Sequence, residues 1–554
     1  MKRSIALLAI VAAALFALFA VSTPSAFAKA QSLLTPHVVA ATTNGQAAFI
    51  GKLPANQSLH FDVVLALRDQ AGLDNFLQAV YNPSSPNYRQ FLTVEQFTQM
   101  FGPTQADYDA LLHFAAANGL TMTGGSRDAM DVQFKASVAA IETAFNVNIG
   151  LYHDSVANRD FYAPDREPSV DLPFQLMHIT GLDNYSVPKN ALVRLPPGAK
   201  PPATTGSCPE ASFCGSDMRA AYYEGTALTG KGQIIGLLEF AGFDIADVNT
   251  YYKNAGQKRT AKVKGISTDG SSINCYANQN CDDTEQTIDI TQALGMAPGV
   301  GTLYVYVGNS GTALLSSMSS HKPLPLNLSS SWYDWAPVSE FSSDDTYFKK
   351  MAAQGQSFFE AAGDSGAWKS SQTDTWWPME SPYVITVGGT DLVTKGAGKG
   401  WASETVWVDG GGGISPDLLP IPSWQKLKGV ITKANEGSTK YRNGPDVSAN
   451  SNFTFYVCAD QRACTANEYG GTSFAAPMWA GYLALANQQA AAHKDKAPGF
   501  INPAIYPLGL SKGYATAFHD ITVGSNGLPA TKGYDLASGW GSPNTDGLIN
   551  ALAK

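Results

Sequence analysis

The stretch DVQFKASVAAIETAF, residues 131–145, alternates apolar and polar positions at first and then repeats them at helical spacing, which predicts a strand running into a helix. LDNFLQAVY (73–81), VEQFTQMF (94–101) and QADYDALLHFAAANG (105–119) carry apolar residues at helical intervals, and the last closes on Gly119 at the place of a C-cap. Together they predict a compact α+β unit over residues 29–190. Past residue 208 the pattern changes. QIIGLLEF (233–240), GTLYVYV (301–307), PLNLSSS (325–331), QSFFEAAG (356–363) and YVITVGG (383–389) are continuous apolar runs separated by helical stretches. Such runs indicate parallel strands buried on both faces, so residues 208–554 are predicted to form an α/β domain, a mostly parallel sheet flanked by helices. Functional groups gather beyond the carboxyl ends of strands in these sheets, and several of the runs end polar: Glu239, Ser329 to Ser331 and Asp364.

Between the two units lies NALVRLPPGAKPPATTGS (190–207), rich in proline and small residues with basic positions. It reads as an exposed linker over residues 191–207, and as a plausible place for proteolytic processing. At the start of the chain Lys2 and Arg3 precede a short apolar run, and STPSAFA ends in small residues at Ala26 and Ala28. That layout predicts a secretory signal peptide over residues 1–28 and no membrane association after its removal. The six cysteines fall into three equally spaced pairs, Cys208 with Cys214, Cys275 with Cys281 and Cys458 with Cys464. Local closure of each polar loop in an oxidising compartment is the simplest of the fifteen pairings; zinc is the competing use, but no histidine lies beside the pairs.

Composition adds little beyond a globular, loop-rich chain: 44% hydrophobic and 15% charged residues, with 52 glycines and 31 prolines. The net charge of -9, from 37 basic and 46 acidic residues, argues against nucleic acid as a partner.

The candidate chemistry centres on GGTSFAAPMWAG (470–481), where Ser473 opens an apolar helix with Pro477 read in its first turn. Free backbone N–H groups at such a helix start stabilise negative charge. A serine nucleophile needs a base. Only His321, His493 and His519 follow the linker, and none stands in a setting suited to a Ser-His pair. Carboxylates offer an alternative. In DDTEQTIDITQALGMAPG, Glu285 and Asp289 are four residues apart, hence on one helix face, and the stripe continues through Ala293, so Asp289 lies on the apolar side. In SFFEAAGDSGAW a buried strand delivers Asp364 into a glycine turn. The GDSG run does not make Ser365 the nucleophile, since it follows a parallel-type strand with no fitting histidine segment upstream.

The Glu285 and Asp289 pair, AAGDSG and GGTSFAAP, in that order along the chain and with no usable histidine, resemble the serine-carboxyl peptidases of the sedolisin family. YNPSSPNYRQFLTVEQF and VQFKASVAAIETAFNVNI resemble the family's pro-domain. The resemblance implies a subtilisin-like fold, an acid-acting endopeptidase and an amino-terminal pro-domain serving as intramolecular inhibitor and folding aid. It also implies polypeptide substrates, a monomeric enzyme and one bound calcium ion. By matching position, Ser473 resembles the nucleophile, Glu285 the general base, Asp289 the carboxyl that orients it, and Asp364 the acid that stabilises the oxyanion. Glu239 and Trp332 match positions that extend the proton network in some relatives. Tyr333 stands where the family often has glycine, a departure that bears on the shape of the neighbouring cleft. FHDITVGSNG and TKGYDLASGWGSP resemble the family's calcium site, with carboxylates from Asp520 and Asp535 and backbone oxygens from Ile521, Thr531 and Gly533; Thr531 replaces a family glycine.

Overall fold

The computed structural model describes residues 31–276, 278, 281–371 and 374–554. The predicted signal peptide, residues 1–28, lies outside the described residues.

The amino-terminal part is built on a four-stranded antiparallel sheet in the order Thr121–Ser126, Asp131–Ser137, Ser58–Leu65, Leu176–Thr180. The mixed pattern at 131–145 resolves as expected. The strand ends at Ser137, whose side chain accepts from the N–H of Ala140 and so caps the helix Val138–Phe145. Helices Gln70–Val80, Val94–Met100 and Gln105–Ala117 match the predicted helical runs. Gly119, at φ +70°, follows the last one as a left-handed stop. Phe61, Val63, Phe134, Ile141 and Phe145 close the core of this unit. A second, three-stranded antiparallel sheet pairs Ala47–Lys52, Ile149–Asp154 and Arg159–Pro164.

The carboxy-terminal part holds an eight-stranded sheet whose path runs Lys262–Ser267, Thr302–Val307, Ile234–Glu239, Asn327–Ser330, Ser357–Ala361, Ile385–Thr394. All these neighbours pair in parallel, as does Val447–Asn450 on Ile385–Thr394, while Trp401–Val406 closes one edge antiparallel. The five strands expected from continuous apolar runs are the central ones. Lys262–Ser267 escaped the pattern because an edge strand has no second neighbour and keeps lysines on its exposed positions.

Two long helices cover one face. Thr284–Met296 is buried along its whole length and packs against Thr472–His493. Gly481 makes that contact possible: a Cβ there would stand 2.6 Å from the carbonyl oxygen of Ala293. The helices therefore approach to backbone contact, which brings their amino-terminal ends together. Pro477 is not in the first turn as expected but in the second, counting from the N-cap Gly471. Its missing N–H leaves the carbonyl of Ser473 without its helical partner, and the hydroxyl of Ser331 approaches that oxygen at 3.5 Å.

All six cysteines pair locally, Cys208–Cys214, Cys275–Cys281 and Cys458–Cys464. No helix among the described residues is long and apolar enough to cross a membrane.

The two parts dock along an interface that begins at Tyr81. Its hydroxyl donates to the carbonyl of Ala352 at 2.7 Å and accepts from the N–H of Phe500 at 2.8 Å. Buried polar contacts continue it: Ser310 donates to Asp62, Ser316 to Asp131 at 3.1 Å, and Lys350 Nζ to the carbonyl of Asp128 at 2.6 Å.

Candidate active site

Parallel pairing puts the carboxyl ends of the central strands on one edge of the sheet, and the predicted site residues meet there. Glu239 closes its strand, Ser331 and Trp332 follow Asn327–Ser330, and Asp364 follows Ser357–Ala361. The helix Thr284–Met296 lays Glu285 and Asp289 over this edge, and Thr472–His493 presents Ser473 from its first turn.

Ser473 is fully buried. Its hydroxyl lies beside the Glu285 carboxyl and donates to the backbone carbonyl of Ala191, and its backbone N–H donates to the same oxygen at 3.1 Å. Neither oxygen of Glu285 has a hydrogen-bond partner among the described residues. Asp289 accepts from the Ser331 hydroxyl at 2.8 Å and lies against Glu239, which in turn accepts from the Trp332 indole N–H at 2.9 Å. Asp364 uses one oxygen to accept from the N–H and hydroxyl of Thr472, at 2.7 and 2.9 Å. Its other oxygen is shielded from solvent and unpartnered among the described residues. Gly471 separates that oxygen from Ala191. At φ +151°, a Cβ on residue 471 would collide with the Ala191 carbonyl and stand 2.7 Å from Oδ2 of Asp364. Only glycine leaves the space between the Ala191 oxygen and Asp364 unfilled.

Burial pushes the carboxyls of Glu285, Asp289, Glu239 and Asp364 well above their ordinary range. Mutual repulsion adds to it, from Asp289 on Glu285, from Glu239 on Asp289 and from Glu285 on Glu239. A fifth buried carboxyl, Glu360, belongs to the same cluster and is likewise raised by burial. Sequence reading missed it, because SFFEAAG reads as a strand and its glutamate gives no motif. Its register opposite Ser330 places it against Asp289 and Glu285. None of the five takes part in a salt bridge among the described residues. Five carboxyls buried together without a cation cannot all ionise, so the cluster retains protons and can both accept and donate them.

No histidine supplies an alternative base. His321 packs at a tilt with its ring centre 4.3 Å from that of Tyr304, His519 lies on Trp401 at 4.0 Å, and His493 ends the helix whose first turn holds Ser473, roughly 30 Å away at 1.5 Å per residue.

The segment predicted to be an exposed linker occupies this site in its first part. Lys189–Asn190 pairs antiparallel with Trp332–Tyr333, the N–H of Ala191 donates to the carbonyl of Ser331 at 2.8 Å, and Val193–Arg194 pairs antiparallel with Tyr469–Gly470. Ala191 is buried, residues 196–201 are exposed, and exposed and half-buried positions alternate from there to Ser207. Proline and glycine content marks residues 196–207 as loop, but VPKNALVR carries enough apolar and extended-chain character to add strands on both sides of a cleft.

Asp520 and Asp535 converge on one loop. Asp520 accepts from the Gly533 N–H at 3.1 Å and from the Tyr514 hydroxyl at 3.0 Å, and Asp535 accepts from the Thr531 N–H at 2.7 Å. Asp535 is buried, which pushes its carboxyl up to about 6. Among the described residues no group of three or more His, Cys, Asp or Glu side chains could hold a metal. Two carboxylates with the backbone oxygens of Ile521, Thr531 and Gly533 would not form such a group, and their all-oxygen chemistry fits a hard cation.

A mostly parallel sheet with a serine at a helix start beside clustered carboxyls has the form of a subtilisin-like peptidase domain. The comparisons agree. Residues 45–185 match the pro-kumamolisin activation domain and residues 276–498 the subtilase family. The chain is 31% identical over 534 residues to kumamolisin of Bacillus sp. (strain MN-32), covering 91% of this chain and 93% of that one. It is 28% identical to sedolisin of Pseudomonas sp. (strain 101), covering 97% and 93%. The structure of Pseudomonas sedolisin, a serine-carboxyl proteinase complexed with two molecules of pseudo-iodotyrostatin, shares the fold with a TM-score of 0.50 at 23% identity, over 63% of this chain and 98% of that chain. The chain belongs to the sedolisin family of serine-carboxyl peptidases and carries that family's activation pro-domain.

Proposed function

We propose that this chain is the zymogen of a secreted, acid-acting endopeptidase that frees itself by cutting its own Ala191–Leu192 bond. The observation that carries this is the Ala191 carbonyl oxygen, held by the N–H and hydroxyl of Ser473, with Gly471 between it and the unpartnered oxygen of Asp364. For the reaction the Ser473 hydroxyl turns its proton from the Ala191 oxygen to the adjacent Glu285, and Oγ attacks the Ala191 carbonyl carbon as that proton passes to Glu285. The oxyanion accepts hydrogen bonds from the Ser473 N–H and from Asp364, which donates only while neutral and keeps its proton when the carbonyl re-forms. Glu285 then returns the proton to the amine of Leu192, and the C–N bond breaks to leave an acyl-enzyme. Water hydrolyses that ester with Glu285 again as base. Asp289 orients Glu285, and Glu239 with Trp332 extends the network behind it.

Acid operation follows from Asp364, which burial keeps protonated and which donates to the oxyanion only in that form; Glu285, itself raised by burial and by Asp289, takes the Ser473 proton into a carboxyl cluster that is only partly ionised. Residues 29–190 serve as pro-domain, filling the cleft with their carboxyl end until it is cut, and residues 208–554 form the peptidase domain. Residues 1–28 direct export, which suits the three disulfides. Asp520 and Asp535, with the oxygens of Ile521, Thr531 and Gly533, hold one calcium ion, which pins the loops they come from. Substrates are polypeptides, and the enzyme acts as a monomer.

The test is a pH profile on denatured protein for the wild type and Glu285→Gln. An acidic optimum lost in the variant supports the reading. A variant with full acid activity sinks it.

A further inference from the structure

The linker in the cleft shows more than where a bond is cut. With Ala191 as the residue before that bond (P1), Asn190 is P2 and Lys189 is P3. Lys189 lies opposite Tyr333 in the antiparallel pair, and its ammonium reaches two carboxylates, Asp334 at 3.1 Å and Asp374 at 2.7 Å. We propose that Asp334 and Asp374 form an acidic third subsite that selects a lysine or arginine side chain at P3 of protein substrates. The proposal rests on the reading that residues 189–195 lie as a substrate does.

The two carboxylates differ in a way that makes this a binding site rather than a surface contact. The Asp334 side chain is only 4% exposed, whereas Asp374 is 43% exposed at the rim. Asp334 is also fixed before any ligand arrives. Its backbone is in the left-handed region at φ +60°, tied by its N–H to the Trp377 carbonyl at 2.8 Å. One carboxylate oxygen accepts from the Thr375 N–H at 2.8 Å and the Thr375 hydroxyl at 3.3 Å, and the other faces Lys189. Among the described residues Lys189 is the only basic side chain paired with Asp334. When the cut pro-domain leaves, Lys189 leaves with it, and a largely buried carboxylate remains in the cleft without a cation. Removing one partner of a buried pair is costly, so a substrate that restores the positive charge there recovers binding that a neutral one cannot. Tyr333, which stands where the family often has glycine, pairs with Lys189 and forms part of the wall that carries P3.

The experiment uses the full chain, processed in acid, and the octapeptide VPKNALVR, which copies residues 187–194, beside the same peptide with norleucine in place of lysine. Norleucine keeps the stem and removes the charge. Rates are taken at the upper end of the working pH range, because burial pushes the Asp334 carboxyl up to about 6 and only its ionised form attracts the lysine, and products are identified by mass. The lysine peptide should be cut between Ala and Leu with kcat/KM about tenfold higher than the norleucine peptide. That ratio should fall toward one in Asp334→Asn and in Asp374→Asn; should the first fail to fold, the rim variant carries the test. Equal rates on the two peptides, both cut at Ala–Leu, overturn the subsite and leave the proposed function standing. Cleavage elsewhere in the peptide shows instead that the register is wrong, and the subsite falls with it.

Discussion

The backbone N–H of Ser473 lies 3.1 Å from the carbonyl oxygen of Ala191, joining residues 282 positions apart. A nucleophile already in contact with a peptide carbonyl of its own chain needs no diffusional encounter, so processing should be intramolecular and first order. On acidification the wild type is expected to yield a fragment whose amino terminus is Leu192. Ser473→Ala should remain uncut at every pH, as gel electrophoresis and amino-terminal sequencing would show. A processing rate that rises with enzyme concentration would contradict the arrangement.

Asp364 should matter only as a hydrogen-bond donor. Asp364→Ala removes the donor and is expected to lower kcat by about 10²–10³ with little change in KM. Asp364→Asn should cost less, because its NH2 can donate in place of the protonated oxygen while Thr472 still donates to its single remaining oxygen. An amide does not titrate, so the alkaline limb of the kcat profile should also move to higher pH in the Asp364→Asn variant. An unchanged limb would mean that another group governs it.

Asp131 makes the zymogen less stable as pH rises. Burial pushes its carboxyl from 3.8 up to about 7, so between those values the folded state keeps a proton that the unfolded chain has lost. Its contribution is therefore most favourable below about pH 4 and is lost progressively through about pH 7. Asp131→Asn removes this dependence. Thermal melts of the uncut protein, in the Ser473→Ala background, should show the variant gaining on its parent from pH 4 to pH 8, by on the order of a few kcal/mol. A gap that stays constant with pH would refute the assignment.

Calcium removal should loosen the carboxy-terminal loops. With a chelator at neutral pH, Tm is expected to fall by about 5 °C or more, as for any ligand that binds only the folded state. Asp520→Ala should melt at the same temperature with and without chelator. Because Asp535 holds its proton up to about 6, the chelator's effect should shrink as pH drops below that value. A wild type indifferent to the chelator would remove the metal from the account.

The sequence by itself determined the elements and the type of chemistry. Continuous apolar runs mark strands buried on both faces, and five of them are the central strands of the sheet. Spacing of four placed Glu285 and Asp289 on one helical face, and the absence of a suitable histidine pointed to carboxylates. These signals are local, carried within a few residues of one another. What only tertiary structure decided is what lies far apart in the chain: that Gly481 lets two helices touch so that Glu285 reaches Ser473, that Glu360 joins the buried acids, and that residues 189–195 fill the cleft rather than hang in solvent. Periodicity records which face of an element is buried but not against what, and the value of a carboxyl as base, acid or subsite depends on the charges and solvent that packing leaves around it.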